Sequence, residues 1–194
     1  MKRFTSLVTL MICLTASAAQ AALLPGYSAG IGSNTSHLII DFGFNSGDAY
    51  LFDYHYDGTK TGEDMLLALN TAGPLVVDHQ FFNFGGSNTI FTNGFSFNGE
   101  SSIPVFEGAN GESWTYWGSA AAPQAPGDWT FFNTFGPTDR VLSNGSYDGF
   151  YLNISPFNSQ GLPATTNPPA TVPEPGSMLA LASAGLLLVR RRSA

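Results

Sequence analysis

The sequence predicts a mainly β domain of the α+β class, with antiparallel sheets arranged as a sandwich and one short helix. Three observations carry this. Runs rich in aromatic and branched residues recur through the middle of the 194-residue chain, and such residues suit a pleated, half-buried surface. Asn-Gly, a dipeptide that favours tight turns, occurs at 93–94, 98–99, 110–111 and 144–145. One stretch alone combines the start and stop signals of a helix.

The first element is not part of that domain. Residues 1–21 open on Lys2 and Arg3, continue through uncharged Leu7, Val8, Leu10, Met11, Ile12 and Leu14, and close on Ala19-Gln20-Ala21. That is the layout of a secretory signal peptide, an N-terminal helix that signal peptidase removes after Ala21. The single cysteine, Cys13, falls inside it, so the mature chain is expected to fold without disulfides. Ile12 stands before Cys13 where a lipoprotein signal needs a small residue.

The domain is expected over residues 22–160. Gly26-Tyr-Ser-Ala-Gly30 fits the G-x-S-x-G spelling of a hydrolase elbow, but no strand precedes it and no helix follows. It reads as a glycine-rich lead-in. Strands are predicted at 37–42 and 49–56. In the second, Phe52, Tyr54 and Tyr56 alternate with Leu51, Asp53, His55 and Asp57, so one face is aromatic and the other polar.

Thr61 to Pro74 is the helix. Thr61 caps it, Glu63 and Asp64 sit where the helix dipole favours acids, and Gly73-Pro74 stop it, giving a helix near 62–72. Met65, Leu69 and Ala72 share one face, with Leu66 beside them. Further strands are predicted at 75–82, 89–92, 113–117, 128–132 and 147–154.

Leu162 to Thr171 (LPATTNPPAT) has no apolar periodicity. Residues 161–171 are therefore expected to form a semi-rigid stalk. Beyond them, Gly176 to Val189 is fourteen residues without a charge, followed at once by Arg190, Arg191 and Arg192. A helix of that length spans about 21 Å at 1.5 Å per residue, short of a hydrocarbon core of about 30 Å. Snorkelling arginines make up part of the gap and act as a membrane stop on the cytoplasmic side, so a transmembrane helix is expected here.

Val172-Pro173-Glu174-Pro175, the apolar helix and the terminal arginines together resemble the PEP-CTERM sorting signal over residues 172–194. Similar tails are also called an ice-binding protein C-terminal module. The resemblance implies recognition of Pro173, Glu174 and Pro175 by an exosortase-type membrane protease in Gram-negative bacteria that make exopolysaccharide. A physical reason for the motif is that proline cannot continue a helix and keeps its predecessor extended. The resemblance also implies export to the cell envelope or surface, with the tail held in the inner membrane. In the middle, the order of helix, aromatic strands, Trp114-Thr-Tyr-Trp117, long loop and Leu142-Ser-Asn-Gly-Ser is similar to the β-rich C-terminal module of transcobalamin-type proteins. The corresponding stretches are Asp64–Ala72 and Trp114–Trp117.

Charge excludes one class of partner. Between residues 22 and 172 only Lys60 and Arg140 are basic, against thirteen acids, a formal charge of −11. Such a surface repels a phosphate backbone, so no nucleic-acid partner is expected.

Candidate chemistry is sparse. Asp53-x-His55-x-Asp57 would aim three ligands to one side of a strand, with Asp41 or Asp78 as a fourth. A solvated outer face gives the same spacing, so neither metal nor other cofactor is expected. His37 and His79 stand isolated and read as structural. Glu100, Glu107 and Glu112 would have to lie at a defined separation to act as a glycosidase pair. Trp114, Tyr116, Trp117 and Trp129 are the densest aromatic group. They suit core packing, or stacking on a sugar if one face is open. The expectation is a non-enzymatic surface or matrix protein linked to exopolysaccharide or biofilm. The alternatives are a carbohydrate- or small-ligand-binding module using those aromatics, then a metal-dependent or glycosidase-type enzyme.

Overall fold

The computed structural model describes residues 23–43, 48–84, 87–102, 111–132, 136–155 and 167–172. The expected signal helix and transmembrane helix lie outside the described residues. Among the described residues no helix is long and apolar enough to cross a membrane.

Among the described residues the chain is mainly β with one α-helix. Its strands are β1 (Leu23–Gly30), β2 (Asn34–Asp41), β3 (Ala49–Tyr56), β4 (Val76–Phe84), β5 (Ser87–Phe97), β6 (Glu100–Ser102), β7 (Gly111–Ser119), β8 (Thr130–Phe131) and β9 (Tyr147–Ser155); the helix α1 is Gly62–Ala72. A six-stranded sheet has the order β1-β3-β2-β9-β7-β8, and β4-β5-β6 form a second, antiparallel sheet.

Most pairs are antiparallel, but two are not. β1 runs parallel to β3, and β9 runs parallel to β2, with His37 opposite Tyr147 and Ile39 opposite Gly149. The large sheet is thus mixed: the expected antiparallel pairing is present, and these two parallel pairs are added to it. The reason lies in the route of the chain. After β3 it leaves the sheet to build α1 and the β4–β5–β6 sheet, comes back as β7 and β8, and then lays β9 between β7 and the free edge of β2, parallel to β2. The strand β1 itself was read as a lead-in. Its Pro25 and Gly26 fall at an irregularity in the pairing between Pro25 and Ser28, and edge positions tolerate such residues.

The inner layer is not a full second sheet, so the sandwich expectation is corrected. Met65, Leu66 and Leu69 of α1 and Val77 and Phe95 of the small sheet cover one face of the large sheet. There they meet Leu38, Ile40, Phe52, Tyr54, Tyr56, Tyr116 and Phe150. In β3 the predicted alternation holds, with Phe52, Tyr54 and Tyr56 buried and Leu51, Asp53 and His55 half-buried on the opposite face. Ala72, placed on the helix's inner face by periodicity, is exposed at its end.

The helix begins as its sequence dictates. Thr61 Oγ1 accepts from Asp64 N at 3.3 Å and Asp64 Oδ2 accepts from Thr61 N at 2.9 Å, a reciprocal capping box. The next amides donate to the loop before β9, Gly62 N to Arg140 O and Glu63 N to Pro137 O. At the other end Tyr27 of β1 donates its hydroxyl to Leu69 O at 2.6 Å, so a carbonyl the helix cannot pair internally finds a partner.

Of the Asn-Gly pairs, 98–99 makes the β5–β6 turn, with both φ angles positive (52° and 89°). Asn144-Gly145 also turns, just before β9. Asn93-Gly94 instead lies within β5, where the pairing with β4 slips between Asp78 and His79. The extra residue makes a bulge rather than a hairpin.

Candidate functional site

Of the predicted site residues, Trp117, Asp53 and His55 lie on the outer face of the large sheet, with Trp129 packed against it. Two chain segments cover its lower half. One is the loop 120–129; the other is 167–172, the end of the stretch expected to be a stalk. Ile39, Ala49, Trp117, Trp129, Tyr147 and Ala170 are buried there together, with Leu23, Leu51, Ala122, Phe131 and Val172 packed around them. Ala170 N donates to Asp41 Oδ2 at 2.8 Å, and Val172 N donates to Pro123 O at 2.8 Å. Pro169 lies over Gly149, where a Cβ would come within 2.6 Å of its ring. Ala170 and Thr171 retain only 5% and 7% exposure. For these residues a docked strap replaces the expected stalk. Proline favours extended backbone, and here that extended chain finds an apolar sheet face to cover.

Three of the four aromatics singled out in the sequence are core residues, and the fourth, Trp114, packs half-buried against the core. Tyr116, Trp117 and Trp129 are 7%, 7% and 6% exposed. Trp114 packs edge-on to Phe42 and Phe95 and donates its indole N–H to Ser102 O. Alternation does place Trp114 and Tyr116 inside and Trp117 outside, but the outer face is covered at that point. Tyr116, Trp117 and Trp129 are thus covered rather than presented as an open stacking surface. Burial took them because aromatic rings bring the largest apolar area to a domain without disulfides.

The polar residues of β3 do not converge. In the sheet register Asp53 faces His37 and His55 faces Thr35. Asp53 Oδ1 lies 2.7 Å from His37 Nδ1, and His55 Nδ1 shares a 2.9 Å hydrogen bond with Thr35 Oγ1. Asp57 accepts from the backbone N and hydroxyl of Ser33. Asp53 and His55 are thus taken up by cross-strand neighbours, and Asp57, just past β3, by Ser33, just before β2. Among the described residues no group of three His, Cys, Asp or Glu is placed to hold a metal ion. His37 also stacks on Tyr147, with ring centroids 4.3 Å apart. Ser28 sits opposite Asp53 in the pairing of β1 with β3. Asp, not His, is thus the serine's neighbour, and that order does not build a nucleophile and base.

Of the other acids, Glu100 accepts from Asp48 N at 3.3 Å. Asp78 pairs across to Gly94, and His79 bonds the carbonyl of Val77. Glu107 lies outside the described residues, as do Pro173, Glu174, Pro175, Arg190, Arg191 and Arg192.

Sequence reasoning missed a buried charge cluster. Asp148, 1% exposed, accepts from Tyr116 Oη on Oδ2 at 2.5 Å and from Arg140 Nε on Oδ1 at 3.1 Å. Burial raises the Asp148 carboxyl above the usual aspartate value, against the lowering pull of Tyr116 and Arg140. Burial, then the Asp148 charge, pushes the Tyr116 phenol well above its ordinary value. The only sequence hint was that Arg140 is one of two bases in so acidic a stretch.

Arg140 also lines an open cleft of about 660 Å³ with Gly118, Ser119, Ala122, Asp128, Thr130 and Phe132. Its guanidinium carbon lies 5.7 Å from the Phe132 ring centroid. Asp128 is committed to the loop, accepting from Gln124 N and Ala125 N. The cleft and the strap adjoin, since Ala122 lines the one and packs with Val172 at the end of the other.

No curated protein and no solved structure matches the chain, so the similarity to transcobalamin-type modules finds no support there. Over residues 171–193 the chain matches the PEP-CTERM protein-sorting motif, the mark of an exported protein that an exosortase, a membrane protease, sorts to the cell envelope.

Proposed function

We propose that this is a non-enzymatic surface or matrix protein, delivered through its tail and acting in an exopolysaccharide or biofilm setting. The observation that carries the reading is the sorting motif at residues 171–193 following a folded acidic domain. The non-catalytic part has a separate support. Asp53, His37, His55 and Asp57 are tied to one another or to strand neighbours, and Asp148 is sealed under Tyr116 and Arg140. Groups used up in this way are positioned to hold the sheet together. The test is deletion of 173–194 in cells with an intact exosortase, followed by fractionation. The truncated protein should lose envelope retention; an unchanged distribution overturns the proposal.

A second reading, a carbohydrate- or small-ligand-binding module, is favoured by the cleft beside Arg140 rather than by the tryptophans. Its volume of about 660 Å³ lies within the roughly 300–1,000 Å³ typical of small-molecule sites. Ser119, Thr130 and Arg140 offer hydrogen bonds around the ring of Phe132. Glycan-array binding that Ser119→Trp abolishes would support it, and binding indifferent to that change would remove it.

A further inference from the structure

The strap 167–172 and the sorting motif meet without a spacer. Among the described residues Val172 makes the last hydrogen bond to the domain, to Pro123 O, and Pro173 of the Pro-Glu-Pro sequence is the next residue. We infer that residues 167–172 are an integral part of the folded domain, and that processing of the tail cuts beyond Val172 and leaves the strap on the mature protein.

Three independent contacts hold the strap. Ala170 N bonds the carboxylate of Asp41, 129 positions away, in a setting where both groups are buried. Asp41 also accepts from Gly43 N, so the strap supplies the second of two backbone donors to one buried acid. Pro169 fills the space above Gly149 in the centre of the large sheet, beside the Trp129 ring. Finally Val172 joins the cluster around Trp117 and Trp129 while its N–H reaches Pro123.

Losing the strap would open that cluster to water and leave Asp41, already sequestered from solvent, with one donor fewer. An unsatisfied buried acceptor is costly, so the docked state is strongly preferred once the sheet exists. The strap's partners come from β2, β9 and the loop after β7, which are far apart in sequence. Docking therefore requires a completed fold. The sorting protease then acts on a chain whose residues up to Val172 are already docked on the folded domain. A cut before Asn167 would strip off a piece of the core's cover.

The position of the cut rests on the exosortase reading; the docking of the strap does not, and the two are tested separately. For docking, the full-length precursor is purified in detergent and hydrogen exchange is followed by mass spectrometry on peptides covering 161–172. Exchange at Ala170 and Val172 should be at least tenfold slower than in an unstructured chain. Ala170→Pro, which deletes the donor to Asp41, should speed exchange at Val172 at least tenfold. Val172→Pro, at the strap's outer end where it disturbs folding least, should do the same at Ala170. Unprotected amides in the unaltered protein overturn the strap. For the cut, the intact mass of the processed protein from cells with an exosortase should give a C-terminus at or after Val172. An end before Val172, or no processing at all, overturns that half, and in the latter case the exosortase reading falls with it while the exchange data still judge the strap.

Discussion

Tyr116 donates its hydroxyl to Asp148 at 2.5 Å, joining neighbouring strands of the large sheet beneath the start of the helix. Arg140 closes the other carboxylate oxygen at 3.1 Å. The pair explains why Gly62 opens the helix, since a Cβ there would stand 2.8 Å from the Tyr116 hydroxyl and 3.0 Å from Asp148 Oδ2. One buried carboxylate thus organises the junction of the helix N-terminus, the loop before β9 and the sheet.

Removing either partner of Asp148 should be costly, and unequally so. Tyr116→Phe deletes a hydrogen bond to a charged group, worth about 1.5–3 kcal/mol. Arg140→Met leaves the buried carboxylate without its counter-charge, at about 3–5 kcal/mol. Urea denaturation of the two variants checks the order.

The same site gives a pH dependence. The Asp148 carboxyl is raised in the folded state by burial, so the native protein binds its proton more tightly than the unfolded chain does. Stability from this group is therefore full below the ordinary aspartate value, falls as pH rises through the window up to the raised value, and is flat above it. Asp41, also raised by burial, acts in the same direction. Asp41→Asn should remove its share, so the difference in stability between variant and parent should shift in the variant's favour as pH rises from about 4. A pH series of denaturant midpoints reads this. A difference independent of pH would contradict it.

Gly149→Ala should destabilise the domain by about 1–3 kcal/mol, the usual cost of an added carbon in a packed interior. The new Cβ would lie 2.6 Å from Pro169 and 2.9 Å from Trp129. The damage should be confined to the strap side of the sheet. Thermal melts give the size, and hydrogen exchange at 167–172 gives the place.

Trp129→Ala should cost about 3–5 kcal/mol as a core truncation. Trp129 is 6% exposed beneath the strap, and among the described residues its indole N–H meets no hydrogen-bond partner. Trp129→Phe keeps most of the ring volume and removes that unpaired donor, so it should be far milder. Chemical denaturation of both variants separates packing from polarity.

The β4–β5 hairpin presents Phe81, Phe82 and Phe91 at 50%, 43% and 51% exposure. Replacing Phe81 and Phe82 by Ser should change stability by no more than about 0.5 kcal/mol each, as for other surface positions. It should also reduce self-association, because exposed apolar patches drive contacts. Analytical ultracentrifugation tests the second point.

Local signals in the sequence were enough for the pieces that local chemistry builds. Thr61, Asp64 and Gly73-Pro74 bracket the helix within a single turn at each end, and the alternation of 49–56 assigns faces to β3 because side chains there repeat every two residues. The tail was equally readable. Its apolar run, arginine stop and Pro-Glu-Pro sequence are contiguous, and their meaning does not depend on the domain's fold.

Tertiary structure alone decided the rest. A strand's residues state which of its faces is apolar, but not which neighbour it joins or in which direction. The parallel placement of β1 on β3 and β9 on β2 therefore had no local mark. Nor could sequence say that both sides of the sheet at Trp117 are covered, since the cover at that point is the Pro-rich segment 167–172 from the far end of the domain. Asn-Gly at 93–94 favours a turn, and pairing with β4 turned it into a bulge. Nothing near Asp148 in the sequence marks it, and only the fold brings Tyr116 and Arg140 to it. In each case the deciding energy is burial shared between residues distant in the chain, and no window of sequence contains both partners.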